Sequence, residues 1–203
     1  AKYILEKHEN ELVDIAIVLP NRRSHLFLKE EISKEITKNI WAPQIYSLED
    51  FVAELSDLTN LDQIDLILEL YEVHRDIEKE KAEPLDEFLN WGTILLHDFN
   101  EIDRYLVDAN ELYNFLSEAR AREVWNVETG IITDFQKKYL EFWHKLALYY
   151  QKFRAALLKD KHAYQGLSFR FASEQIETKS ERISHKKIYF AGFNALTKAE
   201  ETI

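Results

Sequence analysis

Asn21, Arg22 and Arg23 stand directly after an apolar run, Ile15–Leu19, that stops at Pro20. Two guanidinium forks beside a carboxamide at such a turn suit phosphate oxygens, which arginine takes in pairs. Two arginines after a strand are also ordinary exposed charge, and the residues alone leave both readings open. Ser47 marks a second such boundary, with Asp50 three residues on. A serine there caps a helix, and a carboxylate at the third helical position can satisfy free backbone N–H groups. That structural role competes with any binding role for Ser47. His97, Asp98, Glu101 and Asp103 gather metal-ligating types, yet no second histidine lies at ligand spacing, and acids near helix junctions commonly cap. Glu177-Thr178-Lys179 has the Glu-x-Lys half of a nuclease site without a partner Asp on a neighbouring strand. The chain contains no Gly-x-x-x-x-Gly-Lys-Ser/Thr phosphate loop and no Gly-x-Ser-x-Gly turn. The closing stretch Lys187-Ile-Tyr-Phe-Ala-Gly-Phe-Asn194 reads as a buried strand entering a turn, and it carries no carboxylate.

The elements that must position these residues follow from periodicity. Residues 2–11 read as a short helix and Val13–Leu19 as a buried strand. From Ser24, the apolar positions Leu26, Phe27, Leu28, Ile32 and Ile36 keep helical spacing. Trp41–Tyr46 gives a second strand, after which Ser47 opens a helix. The pattern is then purely helical. Leu48, Phe51, Val52, Leu55 and Leu58 form one face, and Ile64, Ile67, Leu68, Tyr71 and His74 the next. Pro84 sits at the first turn of a helix carrying Leu85, Phe88, Leu89, Gly92, Leu96 and Phe99. A shorter helix spans 109–119. The longest, 133–159, places Phe135, Tyr139, Phe142, Leu146, Tyr149 and Phe153 at steps of four and three, a seam for another helix. Gly166 and the polar segment 174–186 lead to the last strand, 187–191. Trp91, Trp125, Trp143, Tyr149 and Tyr150 could stack bases, but they sit on apolar seams that favour core packing.

Two strands that both read as buried, 13–19 and 187–191, predict one parallel sheet with a helical block of roughly 130 residues between them. Composition agrees: of 203 residues, 46% are hydrophobic, 13% aromatic and 31% charged, which is globular, while four Gly and three Pro favour long helices. No apolar run approaches the roughly 20 residues that cross a bilayer, and no charged-then-apolar leader opens the chain, so a cytoplasmic, membrane-free protein is expected. The absence of cysteine excludes disulfides and thiolate chemistry and fits a reducing compartment. The absence of methionine makes the chain read as an N-terminal part of something longer. A net charge of −11 opposes a strong nonspecific grip on nucleic acid, so any such binding by this part alone is expected to be weak. Basic residues cluster locally at Arg22, Arg23 and His25, and again at Lys179, Arg182, His185, Lys186 and Lys187.

The order of landmarks resembles the first motor domain of superfamily I DNA helicases. More closely, it is similar to the AddB/RexB-like subunits of bacterial helicase–nucleases, an inactivated superfamily I helicase followed by a C-terminal nuclease of the Asp…Glu-x-Lys type. The likeness rests on Ile15-Ala-Ile-Val-Leu-Pro-Asn-Arg-Arg-Ser-His-Leu-Phe-Leu-Lys29, on Pro43-Gln-Ile-Tyr-Ser-Leu-Glu-Asp-Phe51, on Trp91-Gly92 with Asp98-Phe-Asn-Glu-Ile-Asp103, and on Phe190-Ala-Gly-Phe-Asn-Ala-Leu-Thr-Lys-Ala-Glu200. It spans essentially the whole chain. The resemblance implies an α/β fold, a P-loop-NTPase-like parallel sheet with a large inserted all-α subdomain, predominantly helical overall. Its parts would be 1–47 (first part of the α/β domain), 48–180 (helical insertion) and 181–203 (returning strand and helix start). It implies that Asn21, Arg22, Arg23 and Ser47 contact a DNA strand. It also implies that Ala191, Gly192 and Asn194 fill the Walker B-like places of Asp, Glu and Gln. Phosphoryl transfer needs the metal and charge those carboxylates supply, so no ATPase activity and no cofactor are expected in this part. The implied role is guiding or scanning DNA in double-strand-break repair and recombination. An AddA-like helicase subunit would supply movement, and a nuclease would lie downstream. The acidic charge keeps a second function open, a helical scaffold for protein assembly without DNA contact.

Overall fold

The computed structural model describes residues 1–8, 11–36, 40–124, 134–179 and 185–203, with side chains for all of these except 118–124, 134–140, 144 and 177–179. In chain order the elements are α1 (Lys2–His8), β1 (Ile15–Leu19), α2 (Arg22–Glu35), β2 (Gln44–Ser47), α3 (Leu48–Ser56), β3 (Thr59–Asn60) and α4 (Gln63–Glu78). Then follow α5 (Leu85–Arg104), α6 (Ala109–Val124), α7 (Asp134–Lys159), β4 (His162–Ala163), α8 (Gln165–Lys179), β5 (Lys187–Phe190) and α9 (Lys198–Thr202). The protein is a mostly helical α/β chain with a small parallel sheet. It divides into two compact units, one built from residues 1–57 and 171–203, the other from 58–170.

In the first unit, β1 is the middle strand of a parallel sheet ordered β2-β1-β5. Leu19 stands opposite Ser47 on one side and Val18 opposite Phe190 on the other, so the first and last strands are neighbours as their apolar character predicts. All five residues of β1 are buried, the mark of a parallel strand covered on both faces. Alternation divides its side chains. Ile15, Ile17 and Leu19 join Ile4 and Leu12 in one cluster, with Leu28, Ile45 and Tyr189 against it. On the other face the register partners Tyr46 and Phe190 both meet Phe51 of α3 edge to face, at 5.7 Å each. β5 differs from expectation. It pairs on one side only, among the described residues, and its two end residues are exposed. α2 also departs from its apolar pattern: Ile32 is buried, whereas Leu26 and Phe27 are 71% and 69% exposed.

The second unit is helical, and among the described residues its only strand pair is β3 with β4. α7 packs against α6 and α4, as its seam requires; Leu146, Tyr149 and Phe153 are buried, while Phe142 remains partly exposed. Phe135 and Tyr139 lie outside the described side chains. The buried stripe of α4 runs through Leu66, Ile67, Leu70, Val73 and His74, leaving Ile64 and Leu68 in solvent. Asp62 explains the start: its carboxylate takes the Ile64 and Asp65 N–H groups at 2.9 Å, which fixes the helix phase. α8 begins where sequence periodicity shows no helix. Residues 166–170 are all buried, so no polar face marks the first turns. Gly166 is required there: a Cβ would lie 2.3 Å from the Asn100 carbonyl oxygen.

Two buried polar networks hold this unit. Asp103, fully buried, accepts the Tyr150 and Tyr164 hydroxyls at 2.5 Å and pairs with Arg170 Nε at 2.6 Å. Arg170 also donates to the Ile102 and Val107 carbonyls, which tie off the end of α5. In the other, His74 Nε2 accepts the Glu83 N–H, so its proton sits on Nδ1 and faces the Tyr149 oxygen at 2.7 Å. Tyr149 in turn donates to Glu78, which Lys145 clamps through both oxygens at 2.9 Å. Trp91 belongs to this packing as well, edge-on to Phe88 and Tyr149 with its indole N–H on Glu83. Core packing thus accounts for Trp91, Tyr149 and Tyr150; Trp125 lies outside the described residues. Among the described residues no helix is long and apolar enough to cross a membrane.

Candidate nucleic-acid interface

Parallel strands leave all their carboxyl ends at one edge, and each strand there hands the chain to a turn. In open α/β sheets this is the edge where ligands bind, at the point where the strand order reverses. Here the chain steps from β1 to β2 on one side, and β5 arrives on the other. The turns after β1, β2 and β5 therefore carry Asn21-Arg22-Arg23, Ser47 and Ala191-Gly192, three segments far apart in sequence.

Each turn has a local cause. Pro20 ends β1, and Asn21 caps α2 by accepting the Ser24 N–H on its side-chain oxygen at 3.1 Å. Ser47 is 1% exposed and caps α3, its hydroxyl oxygen accepting the Asp50 N–H at 3.1 Å. Asp50 does not complete the reciprocal capping box. Its Oδ2 instead takes the Ser47 hydroxyl proton at 2.6 Å, and its carboxylate faces Arg22, whose Nη2 donates at 2.6 Å and Nε at 3.2 Å. The in-register pair Leu19–Ser47 is what sets the starts of α2 and α3 side by side and makes this contact. The Arg22 guanidinium, and secondarily Ser47, hold the Asp50 carboxyl below its usual range, while Asp50 raises the guanidinium. Arg23 is exposed, and its charge has no partner among the described residues.

After β5, the Ala191 N–H continues the ladder to the Val18 carbonyl at 3.0 Å. Gly192 has φ +82°, a left-handed backbone that glycine adopts freely and other residues adopt at a cost of about 1–2 kcal/mol. The chain then reaches Thr197, which forms a full capping box with Glu200 at the start of α9. Ala191, Gly192 and Asn194 are all exposed at this edge. The structure thus brings Arg22 and Ser47 together around one carboxylate, Asp50, which the residue pattern marks only as a helix cap, while Asn21 is committed to capping α2. An arginine just after one parallel strand and an acid three residues into the helix after the next is the signal for such a pair.

The second basic cluster stands elsewhere. Lys187 opens β5 opposite Ile15, at the amino ends of the strands, and Lys186 is held by Asp14 at 2.5 Å. Arg182 and the side chain of Lys179 lie outside the described residues, as does that of Glu177. Of the weighed metal residues, Asp103 is committed to the buried network, and His97 is exposed beside Asp98 at 3.9 Å. Among the described residues no group of three or more His, Asp or Glu side chains converges.

Neither a protein-family model nor a curated protein matches this chain.

Proposed function

We propose that the sheet unit is an ATPase-inactive, helicase-like module that guides a DNA single strand within a double-strand-break repair helicase–nuclease subunit of the AddB/RexB kind. On this reading the sheet is part of a P-loop-type domain, and the helical block is its insertion. Asn21, Arg22, Arg23 and Ser47 would line the strand's path, an AddA-like partner would supply translocation, and cleavage would belong to a nuclease domain beyond this region. The single observation that carries it is the meeting of the basic turn with Ser47 at the carboxyl edge, beside a strand end that holds no carboxylate. Phosphates favour such an edge because helix N-termini and arginines add their positive potential there. The loss of ATP chemistry is supported by more than the residues missing at 191 and 192. The left-handed backbone at Gly192 disfavours the glutamate that a catalytic base would require.

Fluorescence anisotropy with a labelled oligonucleotide tests the reading, comparing the parent with Arg22→Ala/Arg23→Ala over a salt series. Asp50 already holds Arg22, so the double change removes one free phosphate contact, that of Arg23, and flattens the log–log salt slope by about 0.7, the share of one single-strand contact. An unchanged slope and affinity would remove the DNA role.

A second reading has its own support. Arg22 is already paired, the chain is acidic, and α2 presents Arg23, Leu26, Phe27 and Glu30 on one exposed face at helical spacing. This arrangement favours a scaffold that docks a protein partner. Pull-down of a helicase subunit together with no DNA binding at low salt selects it.

A further inference from the structure

Residues 79–84 form a short strap that joins α4 to α5 beside the imidazole of His74. Lys79, Glu80, Lys81, Glu83 and Pro84 are exposed and Ala82 is half-buried, so little apolar burial holds the strap down. Glu83 anchors it instead, at three points. Its N–H donates to His74 Nε2 at 3.2 Å, its carbonyl accepts the Tyr71 hydroxyl at 3.1 Å, and its Oε2 accepts the Trp91 indole N–H at 2.9 Å. Lys79, where the strap leaves α4, sits at φ +53° and ψ −119°, a backbone conformation that a side chain adopts only under constraint.

Of the three partners of Glu83, only the imidazole belongs to a type that titrates near neutral pH. The His74 ring is buried, and its two nitrogens have different duties. Nδ1–H faces the Tyr149 oxygen at 2.7 Å, and that hydroxyl donates onward to Glu78 at 3.2 Å. A proton added to the ring must therefore land on Nε2. Two N–H groups then confront each other across the same 3.2 Å, and the anchor becomes a repulsion. The charges facing the ring show what replaces it. Among the described residues these are Glu78 and Glu83, which favour the cation, and Lys145 of α7, which opposes it. α5 presents the uncharged rings of Phe88 and Trp91, at 4.9 and 5.4 Å. Glu78 is already bound by Lys145 and Tyr149. Glu83 is the carboxylate left to meet a charged imidazole, and only a neutral indole N–H holds it back.

We infer that the 79–84 strap is an acid-released latch built on His74. A proton on Nε2 expels the Glu83 N–H, the Glu83 carboxylate leaves Trp91 for the charged ring, and the constraint on Lys79 is relieved. Burial holds His74 neutral at ordinary pH and so keeps the latch closed until the solution is acidified. The device needs neither DNA nor ATP chemistry, so its fate is independent of the function proposed above.

NMR titration of the 203-residue chain, from about pH 7.5 down to about pH 4.5, spans the ordinary histidine range and tests it. As the His74 ring signals titrate, the Trp91 indole N–H should shift with the same midpoint. Protection of the Glu83 amide against hydrogen exchange should fall about tenfold or more, as local opening without unfolding requires. Circular dichroism should keep its helical signal throughout. His74→Gln retains a neutral acceptor for the Glu83 N–H but takes up no proton, so the amide stays protected. Glu83→Gln changes an exposed position and leaves the fold intact. It keeps the amide contact but lacks the carboxylate that meets the charged ring, and lowers the midpoint by about half a pH unit, the scale of one partly exposed ion pair. Protection that survives protonation of His74, or that is lost equally in His74→Gln, overturns the latch. A midpoint unmoved by Glu83→Gln, or a His74 that stays neutral until the whole chain unfolds, overturns it as well.

Discussion

Asp50 offers the sharpest test of the proposed DNA role of the strand-end turns, because on that proposal its removal improves binding. In the free protein its carboxylate occupies Arg22 through two hydrogen bonds, at 2.6 and 3.2 Å, and sets a negative charge at the mouth of the basic turn. Asp50→Asn deletes that charge while preserving shape. The cap of α3 survives, since the Ser47 oxygen still accepts the backbone N–H of residue 50. The Arg22 side chain is 76% exposed, so losing its ion pair scarcely changes stability. The effect on DNA has two parts. Removing a like charge about 5 Å from a phosphate in a water-like medium strengthens binding about fourfold. Freeing Arg22 adds one phosphate contact and steepens the salt slope by about 0.7. Anisotropy at low and moderate salt should therefore show tighter binding by Asp50→Asn, and the double variant Arg22→Ala/Asp50→Asn should lose the added slope. If Asp50→Asn stays folded yet binds no better, or if the added salt slope persists without Arg22, then Arg22 is not a phosphate contact and the site must be read as a structural latch.

Two further outcomes probe the helical unit. Asp103→Asn leaves the buried Arg170 without its counter-charge and presents an amide to two tyrosine hydroxyls, so urea unfolding should show a loss of about 3–5 kcal/mol. A loss under about 1 kcal/mol would mean the network relaxes or admits water. Burial holds His74 below its ordinary pKa, although Glu78 and Glu83 act in the opposite sense. The unfolded chain takes up that proton below about pH 6.5, whereas the folded one resists it. Stability from this group is thus complete above that pH and falls as the solution is acidified toward the depressed value. Thermal melts from pH 7.5 to 5.5 should decline, and His74→Phe should flatten the decline; identical slopes would remove His74 as the cause.

The residue pattern carried much of the fold. Ile15–Leu19, buried at every position, is an inner parallel strand, and its hydrophobic run together with that of 187–190 located two neighbouring strands of one sheet. Caps were equally legible, because Ser47 and the residues around it act through contacts only three positions apart. Helix phase was less so. Ile64 and Leu68 belong to the apolar count of α4 but not to its buried stripe, since the Asp62 cap and the packing on α5 and α7 choose which face turns inward. The start of α8 escaped for the opposite reason: a segment enclosed on all sides needs no polar face, so periodicity has nothing to report.

By itself, then, the sequence determined most local conformations, the basic turn, and the absence of any carboxylate at the end of the last strand, because each depends on neighbours along the chain or on side-chain chemistry alone. Tertiary structure decided the rest. Only strand register sets Arg22 against Asp50, twenty-eight residues apart, and only helix packing sets Asp103 among Tyr150, Tyr164 and Arg170. Charges and hydroxyls acquire their roles from what folding places across from them, and no spacing along the chain encodes that distance.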